Sequence, residues 1–326
     1  MKIRILSAKD VRSCLPISRA VEVVKEAFIQ LTLDKVEAPQ RIHLDLPDNN
    51  AGLLFMPVYT PENRKIGFKM ISLFGDNPKK NLPMIHALMM VVDAETGLPQ
   101  AIMDGASLTA IRTGAASGAA SDLLSGKDSR TAAVFGAGPQ GETQLEAVCA
   151  VRKIEKAYIF DPDRKISDNF VEKMSSKLGI SVLSEENEEV LRDVDIICTA
   201  TNSKTPVFRN ENITEGTHIN AVGSYKPDVR EIPSETVLRS KVYVDHKLSC
   251  KTEAGDILIP LKEGLITEQH ILGELGELAL GKISGRSDLK EITFFKSVGN
   301  AAQDIYAASS VLIEAEKEGL GVKVDI

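Results

Sequence analysis

Three glycines with a fixed spacing follow an apolar segment near the middle of the chain: Gly136, Gly138 and Gly141 come directly after Thr131–Phe135. Gly136 lets the backbone turn sharply off a strand, and Gly138 lets it approach a pyrophosphate. Gly141 lets the next helix pack closely on the sheet, with its free N–H groups and positive dipole end facing the phosphates. A lone Gly-x-Gly-x-x-Gly is a weak motif, so its context decides the interpretation.

The context of the glycines is typical of a dinucleotide-binding unit. A helix-favouring segment begins at Glu142, and a second apolar segment, Lys156–Phe160, is followed by Asp161, 20 residues after Gly141. An acid at this distance hydrogen-bonds the adenosine ribose in such units. The alternative is a tight strand-to-helix turn in another α/β protein. The pattern predicts NADH as the cofactor, with Arg164 able to accommodate NADPH as a second one.

Two further segments fall where predicted parallel strands end, which is the side of such a sheet that binds ligands. One contains Thr199 and Thr201, and the other spans residues 220–224. They are candidates to line the nicotinamide half of the cofactor. An ordinary turn explains Gly223 and Ser224 about as well.

Two cations lie in apolar or tightly packed segments of the first part of the chain. Lys69 interrupts the apolar segment 66–73, and Arg112 lies in the small-residue segment 109–114. A buried cation is costly unless it has a partner, and a substrate carboxylate would be one. A lysine whose pKa is lowered by burial can also act as an acid or a base. The alternative is that both cations face solvent on the polar side of an amphipathic element.

The elements that position these residues change character along the chain. About the first 30 residues predict a helix from their apolar spacing. Successive short strands without intervening helices then predict an antiparallel sheet, with strands at 42–46, 53–58, 67–73, 85–92 and 100–104. Residues 106–124 are rich in Ala, Gly, Ser and Thr, which predicts a helix pressed against another backbone.

From residue 126 the pattern alternates between strands and helices, which predicts a mostly parallel sheet with helices on both faces. The expected strands are 131–135, 157–160, 181–183, 195–200, 217–222, 241–245 and 293–296. A final helix is expected at 301–318.

The composition excludes several classes of protein. A net charge of −7 argues against a nucleic-acid partner, which needs a basic face. No apolar segment is long enough for a secretory signal or a membrane span, so we expect no membrane partner. The scattered cysteines (Cys14, Cys149, Cys198 and Cys250) and the spacing of the histidines predict free thiols in the cytoplasm and no metal.

Several longer segments resemble the ornithine cyclodeaminase/mu-crystallin family, in the family's order across nearly the whole chain. They include Gly67-Phe-Lys69, Leu108-Thr-Ala-Ile-Arg-Thr113, Phe135-Gly-Ala-Gly-Pro-Gln140, His218-Ile-Asn-Ala-Val-Gly223 and Ser297-Val-Gly-Asn-Ala-Ala-Gln-Asp304. The resemblance implies an α/β fold with a Rossmann NAD(P)-binding domain, residues 126–304. This domain would be inserted in an α+β substrate-binding and dimerisation domain, residues 1–125 plus 305–326, of a homodimer.

The resemblance also implies roles for individual residues. Arg41, Lys69 and Arg112 would bind the substrate carboxylate, with Lys69 catalytic and close to the reacting nitrogen. Three more residues would contact the substrate: Met56, Gly299 and Asn300. The implied cofactor-binding residues are Arg112, Gly136, Gly138, Pro139, Gln140, Gly141, Asp161, Arg164, Thr199, Thr201, Ala221, Val222, Gly223, Ser224 and Asp304. Of these, Asp304 would lie near the nicotinamide, as would Gly299.

Two departures from the cyclodeaminase pattern bear on the activity. Tyr225 stands where cyclodeaminases carry a catalytic aspartate, and the following Pro227-Asp-Val-Arg-Glu231 resembles the mu-crystallin and imino-acid reductase branch. Leu54 stands where cyclodeaminases carry a glutamate that meets the distal amine of ornithine. An apolar group cannot compensate a buried ammonium.

We therefore expect NAD(P)H-dependent reduction of a small cyclic imino acid, such as Δ1-pyrroline-2-carboxylate to L-proline, or of a related ketimine. Alanine dehydrogenase is the first alternative, because Leu54 is compatible with a methyl side chain. Ornithine cyclodeaminase is the second. A non-catalytic ligand-binding protein is the third, since Lys69 and Arg112 would serve binding as well as catalysis.

Overall fold

The computed structural model describes residues 2–326 of the chain. In chain order its elements are β1 (Lys2–Leu6), α1 (Ala8–Cys14), α2 (Ile17–Thr32), β2 (Ile42–Leu46), β3 (Ala51–Thr60), β4 (Lys65–Phe74), β5 (Ile85–Asp93), β6 (Pro99–Asp104), α3 (Gly105–Leu124), β7 (Thr131–Phe135), α4 (Pro139–Val151), β8 (Lys156–Phe160), α5 (Arg164–Leu178), β9 (Ser181–Ser184), β10 (Ile196–Thr199), β11 (His218–Ala221), α6 (Ser234–Arg239), β12 (Ser240–Val244), α7 (Lys247–Glu253), α8 (Gly255–Lys262), β13 (Ile271–Glu274), α9 (Leu275–Ala279), β14 (Ile292–Lys296), α10 (Ala301–Lys317) and β15 (Val322–Asp325). Short 3₁₀ helices occur at Pro47–Asn49, Asn77–Lys80, Glu188–Asp193, Asn210–Asn212 and Glu268–His270.

The chain divides into two compact units. The first comprises the chain up to Arg112 together with Asn300–Ile326, and the second comprises Thr113–Gly299. The sequence pattern placed these divisions after residues 125 and 304 instead. Composition changes where α3 ends, whereas the division between the units lies inside this helix. The second division lies at the N-cap of α10, where Asn300 accepts hydrogen bonds from the backbone amides of Ala302 and Gln303.

The first unit contains a seven-stranded sheet in the order β15-β1-β6-β5-β4-β3-β2. Its strands from β6 to β2 pair antiparallel, as predicted, and β1 adds a parallel pair beside β6. Alternate residues of β3 and β4 are buried on one face, which packs against α10. That face carries Leu54, Met56 and Lys69.

The predicted helix over about the first 30 residues is wrong at its start. Lys2–Leu6 is a strand, because its alternating side chains bury Ile3 and Leu6 while its backbone pairs with β6 and β15. Ser7 then caps α1, and Pro16 precedes α2. The pairing partner β15 was not predicted from the sequence either.

The second unit contains an eight-stranded parallel sheet in the order β13-β12-β14-β11-β10-β7-β8-β9. Successive residues of β7 enter separate apolar cores, with Val134 in one and Phe135 in the other. The predicted parallel sheet is therefore confirmed, although β13 was missed. Chain order reverses between β7 and β10, so the carboxyl ends of these two strands mark the switch point where such sheets bind ligands.

Helix α3 packs closely against neighbouring backbone, as its small residues predicted. In the first unit, a Cβ on Gly105 would lie 2.8 Å from the backbone carbonyl carbon of Ala87. In the second unit, a Cβ on Gly114 would lie 2.6 Å from the backbone carbonyl carbon of Thr143. Within residues 2–326, no helix is both long and apolar enough to cross a membrane.

Candidate active site

The glycine-rich turn joins the end of β7 to the start of α4. Gly136 has a φ of +95°, and a Cβ there would lie 2.6 Å from the carbonyl oxygen of Ala200. A Cβ on Gly141 would overlap the carbonyl oxygen of Gly136, which only a glycine avoids. Gly138 is the N-cap of α4, and a Cβ on it would meet nothing within 4 Å. The helix N-terminus therefore has an open side that suits a phosphate group.

Asp161 follows β8 and contacts the glycine-rich turn. Its Oδ2 accepts a hydrogen bond from the Ala137 amide at 2.9 Å, and its Oδ1 accepts one from the Asp163 amide at 3.0 Å. A carboxylate has about four acceptor positions, so Asp161 retains capacity for a ribose hydroxyl. Arg164 is paired with two acids, Asp168 at 3.0 Å and Glu186 at 3.5 Å. These pairs compete with any contact to a 2′-phosphate.

The loops after β10 and β11 converge on one buried carboxylate, Glu231. Its Oε1 accepts hydrogen bonds from the amide and the hydroxyl of Thr201, at 2.7 and 2.8 Å. Its Oε2 accepts from the Thr199 hydroxyl at 3.0 Å and from the amides of Gly223 and Ser224 at 2.8 and 3.2 Å. Sequence reasoning placed these four donors at strand ends, but it used Glu231 only as a mark of the reductase branch.

The remaining predicted residues of these loops lie beside that carboxylate. Ala221 ends β11, and the Val222 amide donates to the Thr199 carbonyl oxygen at 2.9 Å. Gly299, in the loop after β14, has a φ of +77° and donates its amide to Asp245 at 2.7 Å. The backbone of both segments is therefore fixed by hydrogen bonds.

The two predicted cations of the first unit meet at one acid, Asp304. Lys69 Nζ lies 2.6 Å from Asp304 Oδ2, and Arg112 Nε donates to Asp304 Oδ1 at 3.0 Å. Arg112 Nη1 also donates to Gln303 Oε1 at 3.0 Å. The side chains of Lys69 and Asp304 are 0% exposed and that of Arg112 is 7% exposed. The solvent-facing alternative for the two cations is therefore wrong.

Three elements bring this cluster together. Lys69 lies on the inward face of β4, Arg112 on α3 and Asp304 in the first turn of α10. Met56 is the cross-strand partner of Lys69. Leu54 is two residues earlier on the same buried face of β3. The cluster is thus bordered by apolar side chains on one side.

The electrostatic environment makes Lys69 a proton-exchanging group near neutral pH. Burial lowers the pKa of Lys69 to about 7, and the positive charges of Arg112 and Arg41 lower it as well. The carboxylate of Asp304 opposes this shift. When Lys69 is protonated, one carboxylate faces two buried cations, so the cluster carries excess positive charge that favours an anionic ligand.

The cluster also contains two amide groups that sequence reasoning did not interpret in this way. Among residues 2–326, the buried Nδ2 of Asn300 and Nε2 of Gln303 have no hydrogen-bond acceptor. Buried donors normally have partners, so these two atoms are candidates to bind a ligand oxygen. The resemblance placed Asp304 near the nicotinamide, and the structure shows it as the counter-ion of Lys69 and Arg112. Among the same residues, no group of His, Cys, Asp or Glu could hold a metal ion.

A doubly wound parallel sheet with a glycine-rich turn at its switch point defines a dinucleotide-binding protein. The sequence model of the ornithine cyclodeaminase/mu-crystallin family matches residues 1–319, and the chain belongs to this family. The predicted family is therefore confirmed.

Relatives within the family cover the whole chain. A Δ1-pyrroline-2-carboxylate reductase of Bacillus thuringiensis subsp. konkukian (strain 97-27) is 34% identical over 323 residues, which cover 98% of this chain and 99% of the relative. The structure of Thermococcus litoralis Δ1-pyrroline-2-carboxylate reductase in complex with NADH and L-proline is 42% identical, with a TM-score of 0.96 over 99% of this chain and 100% of that chain. An archaeal alanine dehydrogenase dimer with bound NAD is 33% identical, with a TM-score of 0.93 over 100% of both chains. These likenesses confirm the predicted fold class.

Proposed function

We propose that this protein uses NADH to reduce a small cyclic imino acid, with Δ1-pyrroline-2-carboxylate reduced to L-proline as the leading reaction. The observation that carries the proposal is the buried cluster of Lys69, Arg112 and Asp304, bordered by apolar Leu54 and Met56. Its excess positive charge suits a carboxylate, and its apolar border suits a ring without a second amine. The Bacillus relative and the Thermococcus complex with NADH and L-proline support this substrate.

The residues of the cluster divide the work of the reaction. Arg112 binds the substrate carboxylate through its guanidinium, and Arg41 adds positive charge. The ammonium of Lys69 donates a proton to the imine nitrogen and is left as a neutral amine, which solvent reprotonates. When bound, NADH supplies the hydride to the imine carbon and leaves as NAD⁺, so the C=N bond becomes CH–NH. Asp304 stabilises the ammonium form of Lys69 before the transfer.

NADH is the preferred cofactor in this proposal. The carboxylate of Asp161 accepts a ribose hydroxyl and repels a 2′-phosphate. Arg164 is engaged by Asp168 and Glu186, which weakens its attraction for that phosphate. The archaeal alanine dehydrogenase binds NAD and the Thermococcus reductase binds NADH, which agrees with this choice.

We also propose a homodimer in the cytoplasm that contributes to proline metabolism. The archaeal alanine dehydrogenase is a dimer, which supports this assembly. The four cysteines are free thiols, as expected in a reducing compartment.

Steady-state assays with Δ1-pyrroline-2-carboxylate and either NADH or NADPH test the activity. We expect turnover with both cofactors and a higher kcat/KM with NADH. Absence of turnover with either cofactor would contradict the reductase. Ammonia-dependent oxidation of NADH with pyruvate would favour alanine dehydrogenase, and ammonia release from ornithine would favour cyclodeaminase. NADH binding without any of these activities would favour a ligand-binding protein.

A further inference from the structure

Glu231 is a fully buried carboxylate at the end of the segment that distinguishes the reductase branch. It accepts hydrogen bonds from both strand-end loops, at Thr199 and Thr201 after β10 and at Gly223 and Ser224 after β11. We propose that Glu231 is a positioning residue that fixes these two loops in the shape that receives the nicotinamide half of NADH. The inference rests on the proposed function and assigns this carboxylate a role within it.

The hydrogen bonds to Glu231 are all accepted and none is donated. Three of the five donors are backbone amides, those of Thr201, Gly223 and Ser224, so the carboxylate fixes the course of the main chain. Only an ionised carboxylate can accept on both oxygens without carrying a proton of its own. Two loops that are distant along the chain therefore depend on a single charge.

A second buried pair fixes Glu231 itself. Asp256 Oδ1 accepts hydrogen bonds from the amides of Glu231 and Ile232, at 2.7 and 2.9 Å. Asp256 Oδ2 forms a 2.7 Å ion pair with Lys296, the last residue of β14, and accepts a hydrogen bond from the Ser224 hydroxyl. Burial raises the pKa of Glu231, and the positive charge of Lys296 opposes that shift.

Lys296 closes the network back onto the second loop. Its Nζ donates to the carbonyl oxygen of Ser224 at 2.7 Å and to the hydroxyl of the same residue at 2.9 Å. The side chains of Lys296 and Asp256 are both 0% exposed. The network therefore has no exposed member through which solvent could replace a lost contact.

The position of the loops distinguishes this role from core stabilisation alone. Both loops leave the carboxyl ends of β10 and β11, and β10 borders the switch point where the sheet binds its ligand. A displacement of about 1 Å in a positioned reactant can cost about a hundredfold in rate. Loss of the Glu231 charge should therefore reduce hydride transfer by more than its effect on folding explains.

The chain offers a matched control in Asp195. Its Oδ2 accepts hydrogen bonds from the amides of Arg130 and Thr131, at 2.7 and 2.9 Å, and from the Thr131 hydroxyl at 2.8 Å. Asp195 thus also fixes main chain through a carboxylate, but at the opposite end of the sheet, where β7 and β10 begin. Glu231→Gln and Asp195→Asn make the same chemical change at the two ends.

The experiment compares the two variants with wild type in two binding assays and one rate assay. The binding assays use NADH and ADP-ribose, which lacks the nicotinamide, and the rate assay measures kcat at saturating NADH. We expect Glu231→Gln to reduce kcat by about tenfold or more. NADH should bind about fivefold more weakly, whereas ADP-ribose should bind within about twofold of wild type. Asp195→Asn should stay within about twofold in all three assays.

A second variant, Thr199→Val, removes one of the five hydrogen bonds and keeps the shape of the side chain. It should lower kcat in the same direction by a smaller factor, and it decides the question if Glu231→Gln does not fold. Unchanged kcat in Thr199→Val would then overturn the inference. Equal weakening of NADH and ADP-ribose in Glu231→Gln, or an equal loss of kcat in Asp195→Asn, would overturn it too. If wild type binds NADH but does not reduce the pyrroline, the proposed function fails, and the NADH and ADP-ribose comparison still decides the role of Glu231.

Discussion

At the scale of single residues, Lys69 combines two properties that a proton donor needs. Its ammonium is held by Asp304, and burial lowers its pKa to about 7, so both protonation states are accessible near neutral pH. A lysine with its ordinary pKa of 10.5 would be a weak acid at neutral pH. The reaction consumes a proton, so the protonated form is the active one.

We expect kcat/KM for imine reduction to fall as the pH rises through about 7, because Lys69 then loses its proton. Asp304→Asn should move this fall to lower pH, because the lost carboxylate no longer raises the pKa of Lys69. Lys69→Ala should lower kcat by about a hundredfold or more, with a much smaller effect on NADH affinity. The measurement is a pH series of steady-state rates for the three proteins. Turnover of Lys69→Ala equal to wild type would remove Lys69 from the mechanism.

The sequence indicated some of these residues and could not indicate others. Lys69 was visible as a cation in an apolar strand, and Asp161 by its distance from the glycines. The pairing of Asp304 with Lys69 joins residues that lie far apart in the chain, and no local pattern encodes such a contact. Glu231 has the same difficulty, since its donors come from two separate loops.

At the scale of elements, the strands with a clear period were predictable and the terminal ones were not. The short apolar segments of the parallel sheet gave the strands within one or two residues, because both faces of each are buried. The strand β1 is only five residues long, and its parallel pairing with β6 and antiparallel pairing with β15 decide its conformation. Tertiary pairing of this kind overrides the apolar spacing that predicted a helix.

The close packing of α3 gives a prediction at the same scale. Gly114→Ala should lower the free energy of unfolding by about 1–3 kcal/mol, because its Cβ would be forced against the backbone carbonyl of Thr143. Gly126→Ala is the matched control, since its Cβ would lie 3.4 Å from the Ser129 hydroxyl, an ordinary contact. Denaturant unfolding of both variants measures the difference. Equal stability of the two variants would show that α4 yields without cost.

At the scale of the whole molecule, the seven-stranded sheet has an apolar outer face. Its strands alternate, so Phe55 and Phe68 lie opposite the buried side chains and stack with ring centroids 6.0 Å apart. On the same face, Leu88 is 50% exposed and Ile66 is 38% exposed. A contiguous apolar surface of this kind marks an interface in a soluble protein. A second copy of the chain, related by a two-fold axis, is the commonest way to cover it.

Light scattering at low micromolar concentration tests the proposed dimer. We expect a mass about twice the 35.4 kDa of one chain, since two-fold dimers are the commonest closed assembly. Phe68→Asp should shift the mass toward that of one chain, because a charge cannot be buried unpaired in an apolar interface. Leu289→Asp provides the control: this leucine is 79% exposed and belongs to the other unit, so its replacement should leave the mass unchanged. A wild-type mass near that of a single chain would refute the dimer, and the apolar face would then require a different partner.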